Sequence, residues 1–180
     1  MKKNIVVVVV LVLIVVGIGA LVFIAGGSSS KAPSILPTSA TSTPGVYNDT
    51  TAGFSFKYPL DATVQNTTDQ NDGGAGNTTL IVKAKSGEEI QVTVSPFDEN
   101  ISLTADRIKK DIPTMVMKNT KTVQEGVASG ALGTAVQAVY FETATTREVW
   151  FVTASNLYQV SGLLSDPRAT FDSISTSFTF

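Results

Sequence analysis

The chain has 180 residues, enough for one ordinary domain and an appendage but not for two full domains. It contains neither cysteine nor histidine, which excludes disulfides, thiolate metal sites and lipobox acylation and removes the commonest general base. From Lys31 onward eleven thinly spread basic residues stand against fifteen acidic ones, so we expect no nucleic-acid partner. We therefore predict a non-enzymatic protein with no catalytic residues, no metal site and no cofactor.

The first element is a 21-residue apolar segment, residues 5–25, which follows Lys2 and Lys3 and contains no charged side chain. A helix of this length spans the hydrocarbon core of a bilayer, and the basic start favours a cytoplasmic N-terminus. A cleaved signal peptide ending near Ala25 is the alternative. We predict an uncleaved single-pass anchor over residues 1–25 that contacts membrane lipid and leaves the rest of the chain extracytoplasmic.

A linker and one domain follow the anchor. Residues 26–45 consist almost entirely of Gly, Ser, Thr, Pro and Ala, with hardly a bulky side chain. Such a composition cannot bury enough apolar surface to offset the loss of chain entropy. We predict a flexible tether over residues 26–45 and an extracytoplasmic domain over residues 46–180.

The domain opens with strand patterns. In residues 53–59 (GFSFKYP) three aromatic side chains alternate with polar ones, and the proline ends the run. Residues 79–84 and 89–94 are the next two candidate strands, and Ser86 and Gly87 between them are typical of a turn. These two segments predict a β-hairpin.

The period then changes to that of a helix. In residues 102–112 the two isoleucines are four apart, and either Ser102 or Thr104 is suited to cap the start. Pro113 is expected to end this helix because proline lacks the amide hydrogen and clashes with the preceding turn.

Four further strands are predicted over residues 122–128, 134–142, 147–154 and 157–163. The connections between the last three are short enough to be hairpin turns, which predicts an antiparallel meander.

A second helix is predicted at the C-terminal end. Asp166 is expected to be its N-cap and Pro167 its first residue. Phe171, Ile174 and Phe178 recur at helical spacing, and the first two are expected to press the helix onto the sheet. The fold class is therefore α+β, an antiparallel β-sheet flanked by helices, preceded by one transmembrane helix.

Two aromatic motifs link the domain to a known family. The opening GFSFKYP of residues 53–59 and the closing SFTF of residues 177–180 resemble recurrent features of the PsbP-like family. The resemblance covers about residues 45–180 and implies a PsbP-type α-β-α sandwich. It also implies a non-catalytic docking or assembly role, since photosynthetic members of that family act in this way, but it transfers no ligand residue.

One loop, residues 67–77, resembles a calcium loop in its Asp, Asn and Gly content. An EF-hand count from Asp69 fails because Gly73 falls at position 5 and Leu80 at position 12, where oxygen ligands are required. We expect a solvated loop.

Other polar and aromatic residues were weighed as possible sites. Carboxylates bracket one strand at Glu88, Glu89, Asp98 and Glu99, and they bracket a turn at Glu142 and Glu148. Acid–base chemistry on glycans needs two of them about 5 to 9 Å apart, and charged strand ends are more often solvated. An aromatic ligand platform is conceivable at Trp150, Tyr140, Phe141 and Tyr158, but core packing is the expected role. N-glycosylation sequons begin at Asn48, Asn66, Asn77 and Asn100.

The expected function is that of a membrane-anchored, non-enzymatic binding or assembly module that holds a protein or cell-envelope component. Two alternatives remain open at this point. One is an exported carboxylate-dependent hydrolase acting on envelope glycans, and the other is a purely structural envelope protein.

Overall fold

The structure, a computed structural model, describes residues 44–67, 77–99, 101–123, 137–153 and 155–180. The predicted anchor, nearly all of the predicted linker, Asp69 and Asn100 lie outside these residues. Within the described ranges, no helix has the length and apolar character needed to cross a membrane.

Nine strands and two helices make up the described part of the domain. The strands in chain order are β1 (Gly45–Asp49), β2 (Phe54–Tyr58), β3 (Thr63–Asn66), β4 (Thr78–Lys83), β5 (Glu89–Pro96), β6 (Lys118–Val123), β7 (Ala138–Glu142), β8 (Thr146–Thr153) and β9 (Asn156–Leu163). The helices are α1 (Ala105–Asp111) and α2 (Arg168–Ser175).

Seven of the strands form one antiparallel sheet in the order β3-β4-β5-β9-β8-β7-β6, and β1 pairs with β2 in a separate antiparallel ribbon. The predicted hairpin is confirmed as β4–β5. Its turn uses Gly87 at φ 97°, a backbone conformation that residues other than glycine rarely adopt. The predicted meander is confirmed as β6-β7-β8-β9, and the α+β class is confirmed with it.

Three strands were missed or misplaced because none of their described side chains is fully buried. Nothing in the sequence marked β1 or β3, and neither contains a fully buried residue. The strand predicted over residues 122–128 begins four residues earlier, at Lys118, and its last five predicted residues lie outside the described ranges. Edge strands of this kind lack the strong apolar alternation from which strands are recognised.

Helix α1 follows the prediction closely. The side chain of Thr104 caps it by accepting a hydrogen bond from the backbone amide of Arg107 at 3.1 Å. The helix begins three residues later than predicted and ends at Asp111, just before Ile112 and Pro113.

The start of α2 differs from the prediction. Pro167, with φ −54° and ψ 147°, is the capping residue, and the first helical residue is Arg168. The expectation that Asp166 caps this helix is therefore wrong. Its backbone carbonyl accepts a hydrogen bond from Arg147, which holds it outside the helix, and a residue before proline is disfavoured in helical conformation.

The end of α2 also differs, because Phe178 follows the helix instead of lying on it. The chain turns at Thr176 and returns as an extended segment whose Thr179 bridges Ser55 in β2. The ring centroid of Phe178 lies 5.2 Å from that of Phe56 and 6.1 Å from that of Phe54. The opening and closing aromatic motifs thus contact each other.

Two apolar clusters cover the two faces of the main sheet. The larger joins α2, β2 and the inward side chains of five strands, with members Phe54, Phe56, Leu80, Val82, Ile90, Val92, Val94, Ala138, Tyr140, Val149, Phe151, Tyr158, Val160, Phe171, Ile174 and Phe178. The smaller lies under α1 and comprises Leu103, Ile108, Val139, Phe141 and Trp150. Alternation along β7 and β8 sends successive residues to opposite clusters, so the helices lie on opposite faces of the sheet.

Candidate functional site

The carboxylates that flank the β7–β8 turn lie on opposite faces of the sheet. Glu142 is directly opposite Arg147 in the strand register, and Phe141 is opposite Glu148. Since successive residues of a strand point to opposite faces, Glu142 shares its face with Arg147, and Glu148 does not. The structure therefore does not bring these two carboxylates together.

Two more of these carboxylates, Glu88 and Glu89, already have partners within the fold. Glu88 is buried and accepts hydrogen bonds from Thr170 Oγ1 at 2.6 Å and Ser86 Oγ at 3.0 Å. Glu89 pairs with Lys83 across the β4–β5 hairpin.

On the α1 side, Glu99 forms a two-bond pair with Arg107, whose other nitrogen contacts Asp111. The hydrogen bonds that Arg107 donates to Glu99 lower the pKa of this carboxyl group. Asp98 is exposed. The described residues contain no group of three or more acidic side chains placed to hold a metal ion.

The aromatic residues do not form a platform. Trp150 packs edge-on against Phe141 in the α1-side cluster, with ring centroids 5.3 Å apart, whereas Tyr140 and Tyr158 belong to the cluster on the other face. The expected core role of these rings is confirmed by their burial.

Glu148 is buried at 8% exposure, and its carboxylate is fully provided with donors. Thr146 and Ser161 hydroxyls donate to Oε1 at 2.6 and 2.7 Å, and Trp150 Nε1 donates to Oε2 at 3.1 Å. Burial raises the pKa of Glu148, and the three hydrogen bonds oppose that rise. A satisfied buried carboxylate of this kind is part of the packing.

A different polar group lies on the opposite face, where α2 begins beside the end of β7. We call it the Arg147 cluster, and its members are Asn119, Tyr140, Glu142, Arg147 and Arg168. Glu142 accepts a hydrogen bond from the Tyr140 hydroxyl at 2.5 Å and another from the Asn119 side-chain amide. Asn119 donates from a β-bulge with a left-handed φ of 51°.

Burial, hydrogen bonds and charges within this cluster shift the pKa values of Tyr140 and Glu142. Burial, followed by the hydrogen bond to Glu142, raises the pKa of Tyr140 to about 12. The hydrogen bonds from Tyr140 and then Asn119 lower the pKa of Glu142, and both arginines add to that effect. Arg168 lies over the Tyr140 ring, with its guanidinium carbon 5.4 Å from the centroid. At neutral pH the cluster therefore holds a neutral phenol, one carboxylate and two guanidinium groups.

Arg147 is the unusual member of the cluster. It is only 5% exposed, and its Nη2 donates to the backbone carbonyls of Leu164 and Asp166 at 2.9 and 2.8 Å. Its Nε and Nη1 are buried without a hydrogen-bond partner, and these are the only such side-chain atoms found in the described residues. Its guanidinium carbon lies 5.9 Å from the centroid of the Phe171 ring. A buried charge with unpaired donors is costly, so it requires an explanation.

The alternation of β8 is a sequence signal for the burial of Arg147. Along β8 this residue alternates with Val149 and Phe151, so it occupies a face of the strand on which the next two positions are apolar. Its carbonyl partners lie 17 and 19 residues further along the chain, and no local pattern reveals them.

Comparisons with known proteins show a likeness to solved structures. No family model matches the chain. No curated protein matches it either. The domain is similar to the solution structure of cyanobacterial PsbP (CyanoP) from Synechocystis sp. PCC 6803, with a TM-score of 0.48 and 14% sequence identity over 81% of this chain and 96% of that one. At this identity the likeness concerns the fold alone.

Proposed function

We propose that this protein is a membrane-anchored, extracytoplasmic and non-enzymatic module that binds or assembles a protein or cell-envelope partner. The observation that supports this proposal best is the unpaired guanidinium of Arg147, with Nε and Nη1 buried and without acceptors. Buried donors without acceptors require an explanation, and a partner that rearranges the exposed surface at Pro167, Arg168 and Ala169 would supply one. The apolar segment at residues 5–25 and the linker after it support the tethered location.

The hydrolase alternative has less support. Retaining or inverting glycosidases need two carboxylates about 5 to 9 Å apart across one cleft. Here Glu142 and Glu148 lie on opposite faces, and Glu88 is bonded to Thr170 and Ser86. A purely structural role does not account for the unpaired nitrogens of Arg147.

Membership of the PsbP-like family is part of the same proposal. Its support is the pair of aromatic motifs at residues 53–59 and 177–180, which join through the Ser55–Thr179 bridge and the packing of Phe178.

Photo-crosslinking in intact membranes tests the binding role. A photoreactive amino acid is placed at Ala169, exposed in the first turn of α2, or at Ser155, exposed at the other end of β9. We expect one dominant crosslinked product from Ala169 and none of that mass from Ser155. No product at Ala169, or the same product from both positions, would contradict the proposal.

Protease treatment of intact cells tests the location. We expect the domain to be digested while a fragment containing residues 1–25 stays protected in the membrane. Protection of the domain would contradict the proposed orientation.

A further inference from the structure

The main sheet has two ends, which the antiparallel register defines. At one of them β8 ends and β9 begins, and we call it the β8–β9 end; at the opposite end, the α2 end, β9 runs out and α2 follows. The end of β3 and the start of β4 belong to the β8–β9 end, since Thr78 pairs with Val94 and Val94 pairs with Tyr158 near the start of β9. The ribbon is oriented in the same way, because the ring centroid of Phe54 at the start of β2 lies 5.4 Å from that of Tyr158.

Of the four sequons, the three whose asparagines the structure describes all lie at the β8–β9 end. Asn48 is the fourth residue of β1, Asn66 is the last residue of β3, and Asn77 directly precedes β4. Burial raises the pKa of Tyr158, and the nearby charge of Asp49 adds to that rise, which places the end of β1 close to the start of β9. Asn48 and Asn66 are exposed, and Asn77 is half-buried. Three acceptor motifs therefore share one end of the domain.

Asn48 is the most accessible of these acceptors. Its side chain and that of Thr50, which supplies the hydroxyl of the sequon, are exposed and make no hydrogen bond within the part of the chain that the structure describes. Asp49 between them accepts hydrogen bonds from the backbone amides of Thr51 and Ala52 at 3.0 and 2.9 Å, which fixes the turn. A free amide and a free hydroxyl two residues apart on the surface are what N-glycosylation requires.

Two other described asparagines lack the motif. Asn119 donates to Glu142, and the second residue after it is a lysine. Asn156 begins β9 at the β8–β9 end, but Leu157 and Tyr158 follow it, so no Ser or Thr stands at the required position. Asn156 is therefore an internal control for an asparagine at the same end without a sequon.

We propose that Asn48 is an N-glycosylation site, whose carbohydrate lies at the β8–β9 end, away from Ala169 at the α2 end. This inference rests on the extracytoplasmic location in the proposed function, because N-glycans are attached to exported segments. The side-chain nitrogen of Asn48 attacks C1 of a sugar that is activated as a lipid-linked pyrophosphate. The N–C1 bond forms and the bond from C1 to the phosphate oxygen breaks. The pyrophosphate leaves with the bonding electrons, and a base of the transferase accepts the amide proton.

Mass spectrometry of the full-length chain isolated from its native membranes tests the site. The protein is digested, and intact glycopeptides are fragmented by electron transfer, which keeps the sugar on its asparagine and so locates it. We expect a carbohydrate mass on the peptide that contains Asn48, lower occupancy at the half-buried Asn77, and none at Asn156.

Two matched variants at Thr50, expressed in the same cells, separate the sequon from mere exposure. Both keep Asn48 and change one exposed side chain, so neither is expected to unfold the domain. Thr50→Ala should abolish the modification, seen as the loss of one glycan mass from the intact protein. Thr50→Ser should keep it, because the hydroxyl of the motif remains.

Three results would overturn the inference: an unmodified Asn48 in the native chain, an unchanged glycan on Asn48 in Thr50→Ala, or a glycan on Asn156. An unmodified Asn48 in a domain that external protease digests would remove the glycan and leave the proposed location standing. An unmodified Asn48 in a protected domain would overturn both. A glycan on Asn48 without any crosslink from Ala169 would keep the site and remove the binding role.

Discussion

Arg147 and Glu148 are consecutive residues of β8, and both are more than nine-tenths buried. They differ in how many of their hydrogen-bonding atoms have partners. Glu148 points to the α1 side and receives three hydrogen bonds from Thr146, Trp150 and Ser161. Arg147 points to the α2 side, gives two hydrogen bonds through one nitrogen and leaves the other two unpaired. A buried charge that the chain satisfies itself belongs to the packing, whereas one left partly unsatisfied costs stability and requires an explanation.

The largest expected effect comes from removing the ring beside Arg147. Phe171 is 1% exposed, and it packs so closely on β9 that a Cβ atom at Gly162 would lie 3.1 Å from its Cδ2. Phe171→Ala should lower the free energy of unfolding by about 3–5 kcal/mol because it leaves a cavity in the larger cluster. Urea unfolding of the full chain in mild detergent measures this. Phe171→Leu is the control and should lose clearly less, and equal losses would mean that the ring is not the anchor of α2.

The second-largest expected effect comes from removing a hydrogen-bond donor to Glu148. Trp150→Phe removes the Nε1 donor and should lower the free energy of unfolding by about 1–3 kcal/mol at neutral pH, since a buried carboxylate loses a partner. The same substitution in a Glu148→Gln background separates the lost hydrogen bond from the lost packing. Additive losses in that double-mutant cycle would show that Trp150 and Glu148 are not coupled.

The pH dependence of stability should report on Glu148 directly. Burial raises the pKa of Glu148 above its usual 4.5, so the folded state holds this proton more tightly than the unfolded chain does. Its contribution to stability is therefore full below about pH 4.5 and declines as the pH rises through the raised value. Glu148→Gln should remove this decline, measured as the urea midpoint against pH. A variant profile parallel to that of the unchanged protein above pH 4.5 would contradict the assignment.

The pKa of Glu142 is shifted in the opposite direction, so Glu142 affects stability in a different pH range. Its hydrogen bonds from Tyr140 and Asn119 lower the pKa, so its contribution is present above about pH 4.5 and is lost as the pH falls below that value. The acid limb of the same profile should therefore survive in Glu148→Gln.

The smallest expected effects are those of the two surface pairs. Arg168→Gln and Lys83→Gln should each change the free energy of unfolding by less than about 0.5 kcal/mol, because exposed ion pairs contribute little. Thermal unfolding of both variants measures this. A loss above about 1 kcal/mol in Arg168→Gln alone would mean that the contact of Arg168 with the Tyr140 ring, and not the ion pair, stabilises this end of α2.

Most buried elements were predictable because burial imposes a period on the sequence. The alternating aromatics of residues 53–59, the β4–β5 hairpin and the spacing of Phe171 and Ile174 gave correct elements. Strands β1 and β3 were missed since neither contains a fully buried residue. The position of Phe178 was misjudged because its helical spacing is also compatible with an extended segment that returns to β2.

The sequence by itself determined the α+β class, the absence of cysteine and histidine chemistry, and a helix at α1 with either Ser102 or Thr104 as its cap, since these follow from composition and local pattern. Only the tertiary structure decided which buried charge is satisfied. Arg147 has its two carbonyl partners 17 and 19 residues further along the chain, whereas Glu148 has Thr146 and Trp150 on its own strand and only Ser161 13 residues away. The strand register sends the two side chains to opposite faces. Hydrogen-bond satisfaction depends on distances of a few tenths of an ångström between such segments, which no local pattern encodes.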